Sequence, residues 1–152
     1  MLTPEEIEAF FHRKIPLTRA MGVRVLKWDD TELVLGAPLE LNYNHLGTAF
    51  GGSLSALATL CGYGVLWLEL GETDAHVVVR DSHMSFRRPV RHDLRAVSKR
   101  PPADAIAAFK SDLTRKGKAG ITLNVEMLEG DTVAASLEGI FVALAGPRPA
   151  AE

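Results

Sequence analysis

The chain has 152 residues, of which 47% are hydrophobic, and a formal net charge of −2. This length and composition predict one domain with a full core. The small net charge gives no global attraction to nucleic acid or to an anionic membrane. The acidic N-terminal residues lack the basic region of a secretory signal. Because Cys61 is the single cysteine, an intrachain disulfide is impossible, and we expect a cytoplasmic location.

The N-terminal segment has the signature of a helix start. Thr3 can cap the helix, Pro4 suits its first position and Glu6 completes a capping box. We predict a helix that runs toward Ile15, where the following proline interrupts it. A short turn closed by Gly22 should come next.

Two strands are predicted over residues 23–28 and 31–37, because apolar and polar side chains alternate in both. A loop over 39–50 leads to the longest apolar stretch, residues 53–70, whose single charge is Glu69. A helix that is apolar on every side is normally enclosed on every side, so we predict a central core helix. The stretch is near the length of a membrane span, but it contains several small and polar residues and no basic cluster flanks it. We therefore expect no membrane span.

The second half of the chain predicts four further strands and one helix. Strict alternation along a long strand at 76–86 would place Asp81 and His83 on the same face as Val77. The other predicted elements are a strand at 93–98, a short helix opened by Pro101-Pro102 and ended by Gly117, and two strands at 121–127 and 132–144. This order predicts an α+β fold with a mainly antiparallel sheet and one enclosed helix. We expect a single domain over residues 1–145 and a flexible tail over 146–152.

The glycine-rich start of the central helix is the predicted functional site. The N–H groups of a first helical turn have no intrahelical acceptor and lie at the positive end of the helix dipole. The N–H groups around Phe50, Gly51 and Gly52 are therefore suited to bind an anion or a developing oxyanion. Glycine also lets a ligand approach the backbone closely. The alternative is a Gly-Gly loop that only serves tight packing.

Four segments of the sequence resemble one known family. They read NHLGTAFGG at 44–52, LATLCGYG at 57–64, DSHMSFRRPV at 81–90 and SDLTRKGKA at 111–119. In this order, over roughly residues 3–144, they resemble the hotdog-fold thioesterases, and most closely the thioesterase domain at the C-terminus of YiiD-type proteins. The resemblance implies a curved, mainly antiparallel sheet of about six strands wrapped around one long central helix. It also implies thioesters of coenzyme A or acyl carrier protein as substrates, and homodimers, often paired into homotetramers, with sites at subunit boundaries.

The chain departs from the wider superfamily at two places. Many relatives carry a histidine where Phe50 stands and an acidic residue about three turns into the helix. The later region reads Thr59-Leu60-Cys61 here, so the usual carboxylate is missing. The identity of the general base therefore stays open.

Thioester hydrolysis requires a polarised carbonyl and an activated water. Asn44 resembles the loop asparagine of the family, although a turn residue that bonds its own backbone explains it equally well. Asp81 is either a residue of the site or one half of a surface salt bridge, and His83 either supports it or lies at an oligomer interface. Thr59 either binds water or packs. The candidate catalytic residues are Asn44, Gly51, Gly52, Thr59, Asp81 and His83.

Candidates for substrate binding surround the same helix start. His45 has a pKa range suited to proton transfer, although a loop histidine is often idle. Ser55 belongs to a stripe of small residues that permits close approach of an acyl chain or of a strand. A basic run begins at Arg87 and could receive the phosphates of coenzyme A or the acidic face of a carrier protein, unless it is only a solvated surface. The predicted binding residues are His45, Phe50, Ser55, Arg87 and Arg88.

Three functions are compatible with the sequence. The first is an acyl thioesterase, which requires no metal and no dissociable cofactor, and no Cys/His cluster with metal-ligand spacing is present. The second is a hydratase or dehydratase acting on acyl thioesters, which would need His45 or His83 to work with Asp81. The third is a non-catalytic acyl-thioester binding module, because the helix carboxylate is missing. Aromatic residues are too sparse among the basic ones to predict nucleic-acid binding.

Overall fold

The structure is a computed structural model that describes residues 1–71 and 73–147. The predicted order of helices and strands is confirmed, with small shifts at the element ends. Of the tail expected at 146–152, residues 148–152 lie outside the described part. The elements are α1 (Pro4–Lys14), α2 (Pro16–Ala20), β1 (Arg24–Trp28), β2 (Glu32–Ala37), a 3₁₀ turn (Leu39–Leu41), α3 (Gly51–Leu70), β3 (Ala75–Phe86), β4 (Leu94–Lys99), α4 (Ala103–Lys116), β5 (Lys118–Glu129) and β6 (Thr132–Ala145).

The six strands form one antiparallel sheet in the order β1-β2-β4-β5-β6-β3. Helix α3 packs against β2, β3, β4, β5 and β6, so the sheet wraps around it. The core is made of the inward side chains of these strands and of α3, and the apolar side of α4 packs against β5 and β6. The predicted arrangement of a curved sheet around one central helix is confirmed.

Helix α1 closes one edge of this sheet. Its predicted capping box is present, since Glu6 N–H donates to Thr3 Oγ1 at 3.2 Å and the Glu6 carboxylate accepts from Thr3 N–H at 2.7 Å. Glu8 Oε2 accepts the Val25 N–H at 3.0 Å, and His12 Nε2 lies 2.8 Å from the Val23 carbonyl oxygen. Side chains of α1 thus satisfy backbone groups that an edge strand normally leaves free.

Helix α3 is long and apolar enough to cross a bilayer, but 56% of its apolar window is buried inside the protein. Close packing explains one of its internal glycines. A Cβ on Gly62 would lie 2.5 Å from the Phe141 ring, so only glycine lets β6 approach the helix here. The helix is therefore the core element that the sequence predicts.

A β-bulge in the middle of β3 places Asp81 and His83 on the opposite face of the sheet from the one predicted. Val79 pairs with Phe141 but Asp81 pairs with Ile140, which leaves Arg80 as an extra residue. Because a bulge shifts the alternation of side chains by one, Asp81 and His83 lie on the outer face of the sheet, opposite to Val77. The prediction that they share a face with Val77 was wrong.

The C-terminal end of α3 is fixed by a largely buried ion pair. Arg100 Nε donates to Glu69 Oε1 at 2.5 Å, and the Glu69 side chain is only 9% exposed. The Arg100 guanidinium also lies 4.8 Å from the centroid of the Trp28 ring. The hydrogen bond with Glu69 raises the pKa of Arg100 above its ordinary value. These contacts attach α3 to the β1–β2 turn.

Candidate active site

The N-terminal end of α3, which we call the helix tip, has no side-chain cap. Phe50 is the N-cap residue and supplies no side-chain hydrogen bond, and the first turn contains no acidic residue. The Phe50 carbonyl accepts the Leu54 N–H at 3.1 Å, and this bond begins the regular helical pattern. The N–H groups of Gly51, Gly52 and Ser53 therefore have no intrahelical acceptor.

The chain that leads to the helix tip is held rigidly. Phe50 N–H donates to the Asn42 carbonyl at 2.8 Å, and Ala49 N–H donates to the Val90 carbonyl at the same distance. The Asn42 side chain is 3% exposed and donates to the Met21 carbonyl at 2.9 Å. Sequence reasoning missed this role of Asn42, because a loop asparagine gives no sign of being buried.

Asn44 is bonded within its own loop. Its Oδ1 accepts the N–H groups of Leu46 and Thr48 at 2.9 and 3.2 Å. Its Nδ2 donates to Thr48 Oγ1 at 2.9 Å and to the Ala49 carbonyl at 3.4 Å. Because an amide has two donor hydrogens and two acceptor lone pairs, these contacts occupy its whole capacity. The geometry is that of a turn residue that shapes the approach to the helix tip, and a direct catalytic role for Asn44 stays a prediction.

A cavity of about 410 Å³ opens at the helix tip, and we call it the tip cavity. It brings together three of the predicted residues besides Asn44, namely Gly51, Arg87 and Arg88. Phe86 lies beside Gly51, since a Cβ there would be 3.6 Å from its ring. The lining comes from Asn44, Thr48, Ala49, Gly51, Leu54 and residues 86–90.

A second and larger cavity, the side groove, has a volume of about 760 Å³. It runs along α3 between α1–α2 and the first half of β3, and two predicted residues, Ser55 and Thr59, line it. The remaining lining is mostly apolar, as is usual for ligand sites of this size. Four polar residues that sequence reasoning did not assign to a site also line it, namely Lys14, Thr18, Tyr63 and His76.

Among these four residues, His76 is distinguished by a buried ring nitrogen. Its Nε2 is buried and has no hydrogen-bond partner among the residues that the structure describes. A buried polar atom without a partner carries a desolvation cost that a structure normally avoids. Nothing in the sequence around His76, which lies at the start of an edge strand, indicates a special role.

The other predicted residues lie outside both cavities. His45 is exposed in its loop, Gly52 and Phe50 are exposed at the helix tip, and Phe50 is 52% exposed. On the outer face of the sheet, Asp81 Oδ2 accepts from Arg80 Nε at 3.1 Å and is 65% exposed, and His83 Nε2 lies 3.5 Å from Ser85 Oγ. The structure does not bring Asp81 or His83 to the helix tip of its own chain, and their catalytic roles stay predictions.

The charged side chains that line the two cavities are cationic. Among the residues described by the structure, none that lines either cavity is Asp or Glu, whereas Lys14, Arg87 and Arg88 are cationic. Cys61 is fully buried and lines neither cavity, and burial raises the pKa of its thiol above its ordinary value, which disfavours a nucleophilic role. Within residues 1–71 and 73–147, no group of three His, Cys, Asp or Glu residues is placed to hold a metal ion. The site can thus polarise a carbonyl, but a carboxylate base does not line it.

Comparison with known proteins agrees with this geometry. A family model described as "Putative thioesterase (yiiD_Cterm)" matches residues 4–145. A crystal structure of a protein of unknown function from Chlorobaculum tepidum TLS has 31% sequence identity and a TM-score of 0.88, and the match covers 95% of this chain and 98% of that one.

Two further crystal structures share the fold. One is described as a "putative thioesterase" from Shewanella oneidensis, with 29% identity, a TM-score of 0.83, and coverage of 93% of this chain and 96% of that one. Another, from Pseudomonas aeruginosa, is described as a "Probable Thioesterase", with 25% identity, a TM-score of 0.81, and coverage of 95% and 97%. The fold is the hotdog fold, and the chain belongs to the YiiD C-terminal family of thioesterases.

Proposed function

We propose that this protein hydrolyses acyl thioesters of coenzyme A or of acyl carrier protein, and that the helix tip binds the thioester carbonyl oxygen. The observation that carries the proposal is the uncapped first turn of α3 beside a cavity lined by Gly51. Free N–H groups at a positive helix end stabilise the oxyanion that forms when water attacks a thioester. One such donor contributes about 3–4 kcal/mol at a transition state.

The two cavities suit the two parts of such a substrate. They flank the same end of α3, because the tip cavity reaches Gly51 and Leu54 and the side groove begins at Ser55. The mostly apolar side groove favours burial of an acyl chain. The tip cavity, with its arginines, favours the polar arm that carries the thiol. The thioester itself then lies between them, next to the first-turn N–H groups.

The attacking water needs a proton acceptor, and a second copy of the chain is the proposed source. β3 is an edge strand of 12 residues whose outer edge has no partner strand in the described part of the chain. If two copies pair antiparallel through this strand, the start of one β3 meets the end of the other. His76 lies at the start and Phe86, beside Gly51, at the end. His76 of the second copy is therefore the candidate base, and Thr59 and Ser55 of that second copy, which line the same side groove as its His76, are candidates to hold the water.

A panel of acyl thioesters tests the reaction. We expect release of free thiol from acyl-CoA or acyl carrier protein substrates. Hydration of an enoyl thioester without thiol release would instead indicate a hydratase, and saturable binding without turnover would indicate a binding module. Light scattering at micromolar concentration should give a dimer or a tetramer, and a monomer would contradict the shared site.

Mixed dimers test the role of His76. Phe50→Asp introduces a carboxylate that occupies the first-turn N–H groups at the helix tip. His76→Ala removes the proposed base. Each homodimer should be inactive, but mixing them should restore up to roughly a quarter of wild-type activity, because one site in each mixed dimer keeps both groups. Mixtures that remain as inactive as the two homodimers would exclude His76 as a base supplied by the second copy.

A further inference from the structure

Large exposed apolar side chains lie in or directly next to the segments that line the tip cavity, which also carry two arginines. We infer that these residues form a docking surface for an acidic carrier protein that delivers the acyl group on a phosphopantetheine arm. The inference rests on the proposed thioesterase function and specifies which thioester carrier the site accepts. The docking rim consists of Tyr43, Leu46, Phe50, Phe86, Arg87 and Arg88.

The apolar members of the docking rim are unusually exposed. Leu46 is 75% exposed and Tyr43 is 62% exposed, in the loop that lines the cavity through Asn44. Phe50, next to Gly51, is 52% exposed. Phe86 is 55% exposed in the single chain and lies where the end of β3 meets the second copy in the proposed dimer. Large apolar groups clustered around an opening and bordered by polar residues mark protein interaction surfaces. Aromatic residues and arginine are the types enriched at such surfaces.

The positive charge of the docking rim favours a partner with an acidic surface. Neither Arg87 nor Arg88 has an ion-pair partner within residues 1–71 and 73–147, although the chain as a whole is acidic. Both backbone N–H groups donate to the Ala134 carbonyl, at 2.8 and 3.0 Å, so the two arginines leave the sheet from a fixed position. Residues 86–92 contain a third arginine and no acidic residue. A concentrated positive patch on an acidic protein attracts an acidic surface and orients it.

Free coenzyme A fits the same surface less well. Pockets for small ligands bury most of the ligand surface. The tip cavity, at about 410 Å³, is at the small end for ligand sites and is needed for the pantetheine arm that reaches Gly51. The nucleotide of coenzyme A would then lie on the open docking rim, outside any cleft. A carrier protein uses the same arm but covers the exposed apolar residues with its own surface.

The test compares one acyl group on three thiols: an acidic acyl carrier protein, coenzyme A and N-acetylcysteamine. For the wild type, we expect a KM at least about tenfold lower with the carrier protein than with coenzyme A. The double variant Arg87→Glu/Arg88→Glu should raise the carrier KM about tenfold or more, and by a clearly larger factor than the coenzyme A KM. The matched control Lys99→Glu/Lys110→Glu reverses the same number of exposed charges on β4 and α4, outside the lining of both the tip cavity and the side groove, and should leave the carrier KM unchanged.

Binding without turnover separates this inference from the proposed function. Titration calorimetry with the holo carrier protein, which bears no acyl group, should show saturable binding that weakens with salt and is lost in Arg87→Glu/Arg88→Glu. Leu46→Asp, at a 75% exposed position, should also weaken it if the charge-reversal variant folds poorly. A wild type that cleaves acyl-CoA as efficiently as the carrier thioester and does not bind the holo carrier protein would overturn the inference while the thioesterase proposal stands. Holo carrier binding without cleavage of any thioester would retain the docking surface and reject the thioesterase proposal.

Discussion

The two ends of helix α3 are built in opposite ways. At the C-terminal end, Gly71 adopts a φ of 62° and its N–H donates to the Trp67 carbonyl, and the Glu69–Arg100 pair attaches the helix to the β1–β2 turn. At the N-terminal end, Phe50 provides no side-chain acceptor for the first-turn N–H groups. A missing N-cap costs about 1 kcal/mol of stability. The difference indicates that one end of the helix stabilises the fold, whereas the other keeps its donors free for a ligand.

Capping the N-terminal end of α3 should have the largest effect on activity. Phe50 has the extended backbone of an N-cap residue, with φ −63° and ψ 132°, so Phe50→Asp can accept the N–H groups of the first turn. We expect kcat to fall about 10²–10³-fold, because the oxyanion donors are then occupied. The same change should raise the free energy of unfolding by about 1 kcal/mol. Steady-state hydrolysis and urea unfolding measure the two effects.

Phe50→Ala is the matched control, since it removes the same ring without adding an acceptor. It should lose much less activity than Phe50→Asp and should not gain stability. Equal activity losses in the two variants would show that the ring of Phe50, and not the free N–H groups, matters for catalysis.

Removing the ion pair at the C-terminal end of α3 should reduce the stability of the fold instead. Arg100→Ala leaves Glu69 largely buried without its partner, and we expect a loss of roughly 3 kcal/mol in the free energy of unfolding. The double change Glu69→Leu/Arg100→Met removes both charges and should be less destabilising than the single change. The specific activity of the folded fraction should stay near the wild-type value in both. A large loss of kcat in a fully folded Arg100 variant would contradict the division of roles between the two ends.

A smaller effect is expected at the loop that forms the wall of the tip cavity. Glu129 holds this loop, because it accepts the Arg91 N–H at 2.6 Å and a hydrogen bond from His92. Partial burial raises the pKa of Glu129, but the bonds from His92 and the Arg91 backbone outweigh it, so the net pKa lies below the ordinary 4.5. A depressed carboxyl pKa stabilises the fold above the unfolded-state value, and the gain is lost as the pH falls through the folded-state value.

We therefore expect the melting temperature to decrease on acidification below about pH 4.5, and Glu129→Gln should reduce this dependence. The contribution should be a fraction of a kcal/mol, because the pair is close to the surface. Thermal melts of both proteins from neutral pH to about pH 3 measure the difference. Identical pH profiles would show that Glu129 does not stabilise the fold through its charge.

The smallest effect is expected on the outer face of the sheet. Asp81 is 65% exposed and paired with Arg80, away from the helix tip of its own chain. Asp81→Asn should therefore keep kcat within about twofold of wild type, whereas loss of a general base would cost about 10²–10⁴-fold. A loss of that size in a folded protein would instead support the catalytic role that the sequence predicts for Asp81.

Most of the fold could be predicted from the sequence, because local signals and tertiary structure agree. The Thr3–Glu6 capping box and the apolar stretch that became α3 each specify one structure without long-range information. The faces of β3 could not be predicted beyond its midpoint. The extra residue at Arg80 shifts the alternation, and no local feature of the sequence announces a bulge there.

The candidate site was predicted in part for the same reason. A Gly-Gly segment before a long helix indicates free N–H groups from local chemistry alone, and the structure places Gly51 in a cavity with Arg87. The roles of Asn42 and His76 depend on contacts between residues far apart in the chain. Nothing in their immediate sequence shows that Asn42 is buried or that His76 Nε2 lacks a partner.

The most direct test observes the backbone N–H groups themselves. Amide resonances of Gly51, Gly52 and Ser53 can be followed by NMR while a non-hydrolysable ketone analogue of an acyl thioester is added. We predict large downfield shifts for these three amides, because a carbonyl oxygen then accepts their hydrogens, and no such shifts for Gly62 and Gly64 within the same helix. Saturable binding of the analogue that leaves the three first-turn amides unshifted would contradict the claim that the tip of α3 holds the thioester carbonyl.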